Sequence, residues 1–169
     1  MNVIGQIRAY RPYNIQEEKD KENILRFLET HEDAFERTNQ IAHMTASAWV
    51  CNPARDRILM AYHRIYDSWS WLGGHADGER DLRKVSLKEL REESGLSEAR
   101  LLSDRIYSLE VLTVDGHEKN GEYLSSHLHL NITYLFEADP DLPLSVREEE
   151  NSAVSWFSLE DSLRTPSEK

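Results

Sequence analysis

Two periods of apolar spacing alternate along the chain, and each marks a different kind of element. In residues 14–37, Ile24, Leu25, Phe27 and Leu28 form an apolar stripe on a charged segment, and Asn14 and Glu17 have capping-box spacing. This predicts a helix with a break near Thr30 and His31. From residue 45 the runs shorten. TASAWVC and RILMAYH are apolar or alternating, and NPARD between them is a turn sequence, which predicts a β-hairpin. WSWL leads into a glycine-rich turn, GGHADG. Residues 81–94 have the strongest helical pattern, and Gly95 sits where a C′ glycine belongs. IYSLEVLTV, HLHLNITYLFEA and SAVSWF read as strands and DGHEKNGEY as a polar loop. SLEDSLR reads as a last helix with Ser158 and Asp161 at capping spacing. The order of helical arm, strands, helix, strands and helix predicts an α+β fold with a mixed sheet between helices. Residues 1–40 are expected to be a helical extension packed on a domain of residues 41–165, with 166–169 a frayed tail.

The helix over 81–94 has one anomaly. At 100° per residue, Glu89, Glu92 and Glu93 fall within roughly 100° of arc. Leu82, Val85 and Leu96 project within about 40° of Glu89 on the same wheel, so this is the face the helix otherwise buries. Carboxylates there are costly unless neutralised. Basic partners from another element would do this, and so would a hard divalent cation such as Mg²⁺, which takes oxygen ligands. Full exposure of the helix end is the third reading, and the wheel alone leaves all three open.

Charge narrows the partners. The chain has 169 residues, with 31 acidic against 20 basic side chains and a formal charge of −11. That disfavours a nucleic acid polymer or an anionic membrane, since both need a basic surface. A phosphate ligand would need a bridging cation. Cys51 is the single cysteine, so neither an intramolecular disulfide nor a cysteine-based zinc site is expected. There is no apolar run of the ~18 residues a membrane span needs. MNVIGQIRAY lacks the features of a secretion signal, so a reduced, cytoplasmic setting is expected.

Residues 74–96, GHADGERDLRKVSLKELREESGL, resemble the Nudix box of the Nudix hydrolases, G-x5-E-x7-R-E-U-x-E-E-x-G-U, where U is a bulky apolar residue. Gly74, Glu89, Leu90, Glu92, Glu93, Gly95 and Leu96 all fall on the pattern. Beyond the box, the order of elements is similar from about residue 43 to 163. Two positions depart from it. Arg80 stands where the family has its first glutamate, and Lys88 stands where it has arginine. In the family those two residues pair and brace the loop. Two cations do not, so Glu79 or Asp81 is the expected partner of Lys88.

The resemblance implies a Nudix-like α/β/α sandwich and hydrolysis of a diphosphate linkage in a nucleoside diphosphate derivative. It further implies that Glu89, Glu92 and Glu93, with the carbonyl of Gly73, ligate Mg²⁺ (Mn²⁺ as the alternative ion). A carboxylate among Glu92, Glu93 and the loop residue Glu150, six residues before Trp156, would be the general base toward water, unless Glu150 is a solvated member of the acidic run Glu148–Glu150. Two other readings stand beside this one: a catalytically silent Nudix domain that binds a nucleotide or a protein partner, and an isopentenyl-diphosphate isomerase-like enzyme. The isomerase needs a cysteine facing a glutamate, and Cys51 lies outside the expected context.

Strand alternation puts Leu128, Leu130, Ile132, Tyr134 and Phe136 on one face of HLHLNITYLF, and His127, His129, Asn131 and Thr133 on the other. A polar face on an apolar strand is either a lined cleft or a solvated surface. On the first reading His127 and His129 bind a small-molecule diphosphate substrate. A zinc site is disfavoured, because nothing adjacent in sequence supplies a third ligand. His75 would contact substrate phosphate or order its turn. His43 and His63 read as packing residues, and Trp69 and Trp71 as packing or base-stacking residues. The arm at 1–40 would also serve a homodimer.

Overall fold

The structure is a computed structural model that describes residues 2–64, 67–149 and 151–164. Two helices come first. α1 (Val3–Ala9) is capped by Asn2, whose Oδ1 accepts from Gly5 N at 2.9 Å. α2 (Ile15–Thr30) is capped by Asn14 through Glu17 N. The expected break at Thr30 is the end of α2, and residues 31–37 form turns where the helix was expected to continue. Thr30 Oγ1 donates back to Arg26 O at 2.9 Å, and the His31 ring stacks on Phe27. α1 escaped the periodicity because seven residues hold only one apolar repeat, the buried pair Val3 and Ile7.

A mixed sheet forms the body. β1 (Ala42–Cys51) pairs antiparallel with β2 (Arg57–His63), as the hairpin pattern predicts. β3 (Ser68–Ser70) adds to β2, and β4 (Leu72–His75) adds to β1 with Ser47 opposite Gly73 and Ala46 opposite Gly74. α3 (Leu82–Ser94) follows. Its N-cap Asp81 accepts from Arg83 N, and its C-cap Gly95 is left-handed at φ 73°. After α3 come β5 (Ala99–Leu101), β6 (Ser108–Val114) and the small hairpin of β7 (His117–Lys119) and β8 (Glu122–Leu124). β9 (His127–Ala138), β10 (Asn151–Ser158) and α4 (Leu159–Arg164) complete the order. β9 lies parallel to β1, with His43 opposite His129 and Thr45 opposite Asn131, while β5 and β6 pair with β9 and β10 pairs with β2.

β1 is an interior strand between β9 and β2, α3 packs on the sheet there, and both faces of β1 are buried. Met44, Ala46, Ala48 and Val50 lie in the core, yet His43, Thr45 and Ser47 on the other face are buried too. The arm joins the same core through Val3, Ile7, Tyr10 and Ile24. Within the described residues no helix is long and apolar enough to cross a membrane.

The polar loop DGHEKNGEY holds β7 and β8. Its Asn120-Gly121 corner has positive φ at both residues (54° and 81°), the signature of a two-residue hairpin turn. That dipeptide was readable in the sequence, but three-residue strands are too short to show alternation.

Candidate active site

α3 lies across β1 and β4 with its acidic face toward the glycine pair. Glu89 and Glu93 are 5% and 1% exposed, while Glu92 sits on the solvent side. The helix therefore buries two carboxylates and leaves one at the rim.

Glu93 ends on backbone. Gly73 N donates to its Oε2 at 2.9 Å, and Asn151 Nδ2 donates to its Oε1 at 3.2 Å. Gly73 is free to do this because of strand register. Ala76 N donates to Met44 O, so bonded pairs alternate along β1 and β4, and the Ser47–Gly73 pair falls between them. The Gly73 N–H and C=O then face away from β1, toward α3. Glu89 comes so close to Gly74 that a Cβ there would lie 2.5 Å from Glu89 Cδ. Only glycine leaves room for that carboxylate.

Two cations neutralise the acids. Lys88 Nζ lies 3.2 Å from Glu89 Oε1 and 3.7 Å from Glu92 Oε2. Burial works against its charge, yet the two glutamates hold its pKa above the ordinary lysine value. Arg147 Nη1 donates to Glu92 Oε2 at 2.9 Å and lies 3.8 Å from Glu89 Oε2. The expectation that Glu79 or Asp81 partners Lys88 is therefore corrected: Glu79 accepts from Asp81 N, and Asp81 caps α3 and binds Arg83. The partners are on the lysine's own helix, one residue and one turn away.

The loop is braced from outside the box. The Arg80 guanidinium lies 4.9 Å above the Phe35 ring, a cation–π contact. Arg37 Nε donates to Asp77 Oδ1 at 2.6 Å, and Gly78 N donates to Phe35 O. The turn after α2 thus supplies what Arg80 and Lys88 cannot.

The polar face of β1 and β9 is a lined cleft. Asn131, 1% exposed, accepts from Thr45 Oγ1 and Ser47 Oγ, both at 2.9 Å. Its Nδ2 donates to Glu110 Oε2 at 3.2 Å. Gly73, Glu93, Trp71, Lys119, His75 and His129 line the same cleft. Trp71 packs near Trp49, whereas Trp69 turns away to Tyr62 and Phe157. His127 lies beside His129, and His43, expected as packing, joins them. Cys51 is buried at the end of β1, where its Sγ donates to Phe136 O. Glu150 lies outside the described residues. Asn151 and Arg147 carry no sequence signal of their own, since each lies beside an acidic run that reads as a solvated loop.

Burial pushes the Glu110 carboxyl up from 4.5 to about 7, against its hydrogen bonds from Asn131 and Ser108, with Glu17 and Asp20 adding negative charge. A carboxyl raised in the fold contributes stability that is full below its unfolded pKa and is lost as pH rises through the folded one. Glu110→Gln is therefore expected to gain stability relative to wild type between about pH 4.5 and 7 and to hold that gain above. Thermal melts of both proteins at pH 5, 6, 7 and 8 check this. A constant difference across the series contradicts it.

A family model of the NUDIX domain matches residues 41–169. No curated protein sequence matches the chain. Among solved structures, the fold is similar to a C. elegans Ap4A hydrolase in a binary complex, with TM-score 0.53, 17% identity, and 72% of this chain and 83% of that chain covered. It is also similar to the NUDIX domain of Shewanella oneidensis NrtR complexed with ADP ribose, with TM-score 0.52, 13% identity, and coverage of 83% and 86%. The E. coli dihydroneopterin triphosphate pyrophosphohydrolase matches with TM-score 0.53, 11% identity, and coverage of 72% and 84%. At such identities the likeness is one of fold.

Proposed function

The chain belongs to the NUDIX family of pyrophosphohydrolases, and from that premise we propose that it hydrolyses a diphosphate linkage in a nucleoside diphosphate derivative with Mg²⁺ as cofactor. One observation supports this above the rest: the buried glutamates of α3 end on Gly73 and Gly74, at the wall of the cleft. The donor set is all oxygen, namely the three glutamates and the Gly73 carbonyl, and it suits Mg²⁺, with Mn²⁺ as the substitute. Bound there, such an ion supplies Lewis acidity toward a phosphoryl oxygen and lowers the pKa of water.

The chain's own residues do the rest. Asn151 and Gly73 N hold Glu93 in one orientation. Glu92, at the rim, is the carboxylate with room to take a proton from water, and Glu150 is the second candidate for that base. His75, His127 and His129 face the substrate from the far end of the cleft, and Lys119 brings a positive charge to the same space. The arm at 1–40 works as part of the domain at 41–165, because its turn braces the glycine loop. A cytoplasmic setting fits this substrate class.

The test is a panel of dinucleoside polyphosphates, nucleotide sugars, ADP-ribose and nucleoside triphosphates, each with and without Mg²⁺, with products identified. Mg²⁺-dependent release of a nucleoside monophosphate from at least one anhydride is expected. Binding without turnover across the panel would instead indicate a silent nucleotide-binding domain.

A further inference from the structure

We propose that His43, His75 and His129 form a second, nitrogen-donor metal site that binds Zn²⁺ at the histidine end of the cleft, with the His127 ring beside it. One ligand atom from each of the first three lies within 4.8 Å of the others. Topology brings them together from three strands. His43 and His129 are opposite each other in the parallel register of β1 and β9, and His75 enters from β4, opposite Thr45. Nothing adjacent in sequence supplies a third ligand beside His127 and His129, but parallel pairing brings His43 in from a distant strand.

Hydrogen bonding fixes how these rings present themselves. His43 is 4% exposed, and its Nδ1 lies 2.9 Å from Asn39 O. A carbonyl only accepts, so Nδ1 carries the proton and Nε2 carries a lone pair. That Nε2 is buried and has no hydrogen-bond partner among the described residues. Leaving such a buried group unsatisfied is costly, and a bound ion removes that cost. Donation of the remote ring nitrogen to a carbonyl is also how metal-bound histidines are held. His127 repeats the arrangement: its Nδ1 lies 2.8 Å from Ser125 O, and its Nε2 lies 3.3 Å from His129 Nε2. With Zn–N of about 2.0–2.1 Å, the nitrogen–nitrogen edge of a tetrahedral site is roughly 3.3–3.4 Å.

The chemistry of the rings agrees with this geometry. The His75 and His129 rings lie against His43 and against each other, and the neighbouring cation Arg37 is engaged with Asp77. A set of imidazoles without carboxylate or thiolate suits Zn²⁺ and similar borderline ions, not Mg²⁺. Two sites of different hardness therefore share one cleft, oxygen donors at Glu93 and nitrogen donors at His75 and His129. Three protein ligands leave zinc an open position, the arrangement of sites that receive a ligand. The nitrogen-donor site is built from the histidines alone and is independent of the hydrolase reading.

The test uses the untagged chain, stripped of metal and titrated with Co²⁺ and then Zn²⁺, both as wild type and as the Glu92→Gln/Glu93→Gln double variant. One equivalent of Co²⁺ should give the visible d–d spectrum of a low-coordinate nitrogen site in both proteins and be displaced by Zn²⁺. Zn²⁺ but not Mg²⁺ should raise the melting temperature of the double variant. His43→Gln and His129→Gln should each lose the spectrum, with Zn²⁺ affinity falling at least about tenfold. The proposal fails if the wild type gives no such spectrum, if binding disappears with the glutamates, or if both histidine variants retain it. Should a histidine variant unfold, the spectrum and melting of the double variant decide the question. Phosphate binding to the metal-free protein without any metal spectrum would mean that the imidazoles contact anions directly.

Discussion

Glu92→Gln is expected to lower Mg²⁺-dependent hydrolysis by roughly 10²–10⁴-fold, the range over which positioned acid–base groups act. The substitution removes one of three converging charges and keeps the shape. Glu92 sits on the solvent side of α3, bound to Arg147, so folding loses a partly exposed ion pair worth about 0–1 kcal/mol. Activity should fall while the melting temperature barely moves. Glu93→Gln should lose activity to the same degree and stability as well. Its carboxylate accepts from Gly73 N through one oxygen and from Asn151 Nδ2 through the other. A glutamine offers one oxygen and turns an NH₂ on the second donor, which costs about 1–3 kcal/mol in a buried site. Steady-state rates and melts on the same preparations separate the two effects.

The glycine pair gives the second large effect, split by position. At Gly73 an added Cβ would lie 2.5 Å from Ser47 Oγ, 2.8 Å from Ala46 O and 3.0 Å from Ser47 Cα. Two of those atoms belong to the backbone of β1 and cannot swing aside, so Gly73→Ala should cost about 1–3 kcal/mol of stability and also disturb the bond to Glu93. At Gly74 the Cβ would meet only the carboxylate of Glu89, the far end of a side chain. That group can rotate away, but the position it leaves is the proposed ligand position. Gly74→Ala should therefore melt near the wild type and need about 10–100-fold more Mg²⁺ for half its maximal rate. Equal stability losses at the two glycines would mean that the close approach of Glu89 has no functional purpose.

Legibility in the sequence followed how local each signal was. The anomaly of α3 is set by spacing within one helix, so the wheel could place the glutamates on the inward face and the cap at Gly95 could be read, while the burial of Glu89 and Glu93 and the exposure of Glu92 were left open. The polar face of β9 was equally visible by alternation, but whether it met water or protein depended on β1 lying alongside, which no local pattern states. His43 shows the same gap. On its own strand it is one histidine in an apolar run, and it gains partners only through register with His129 and through β4. The brace on the glycine loop comes from Phe35 and Arg37, in a turn that was expected to be helix. Asn151 reaches Glu93 from β10, far along the chain. Each of these pairings is long-range, and an acidic loop or a short turn carries no periodicity to announce it.

On the proposed function, the carboxylates of α3 make this cleft a divalent-ion-dependent hydrolase site. The most direct measurement is the initial rate on one cleavable diphosphate substrate as Mg²⁺ is titrated, for the wild type and for Glu92→Gln and Glu93→Gln. A saturating Mg²⁺ dependence is expected in the wild type, abolished by a chelator and lost in both variants. Full Mg²⁺-dependent turnover in both variants, or a rate that a chelator leaves unchanged, would contradict it.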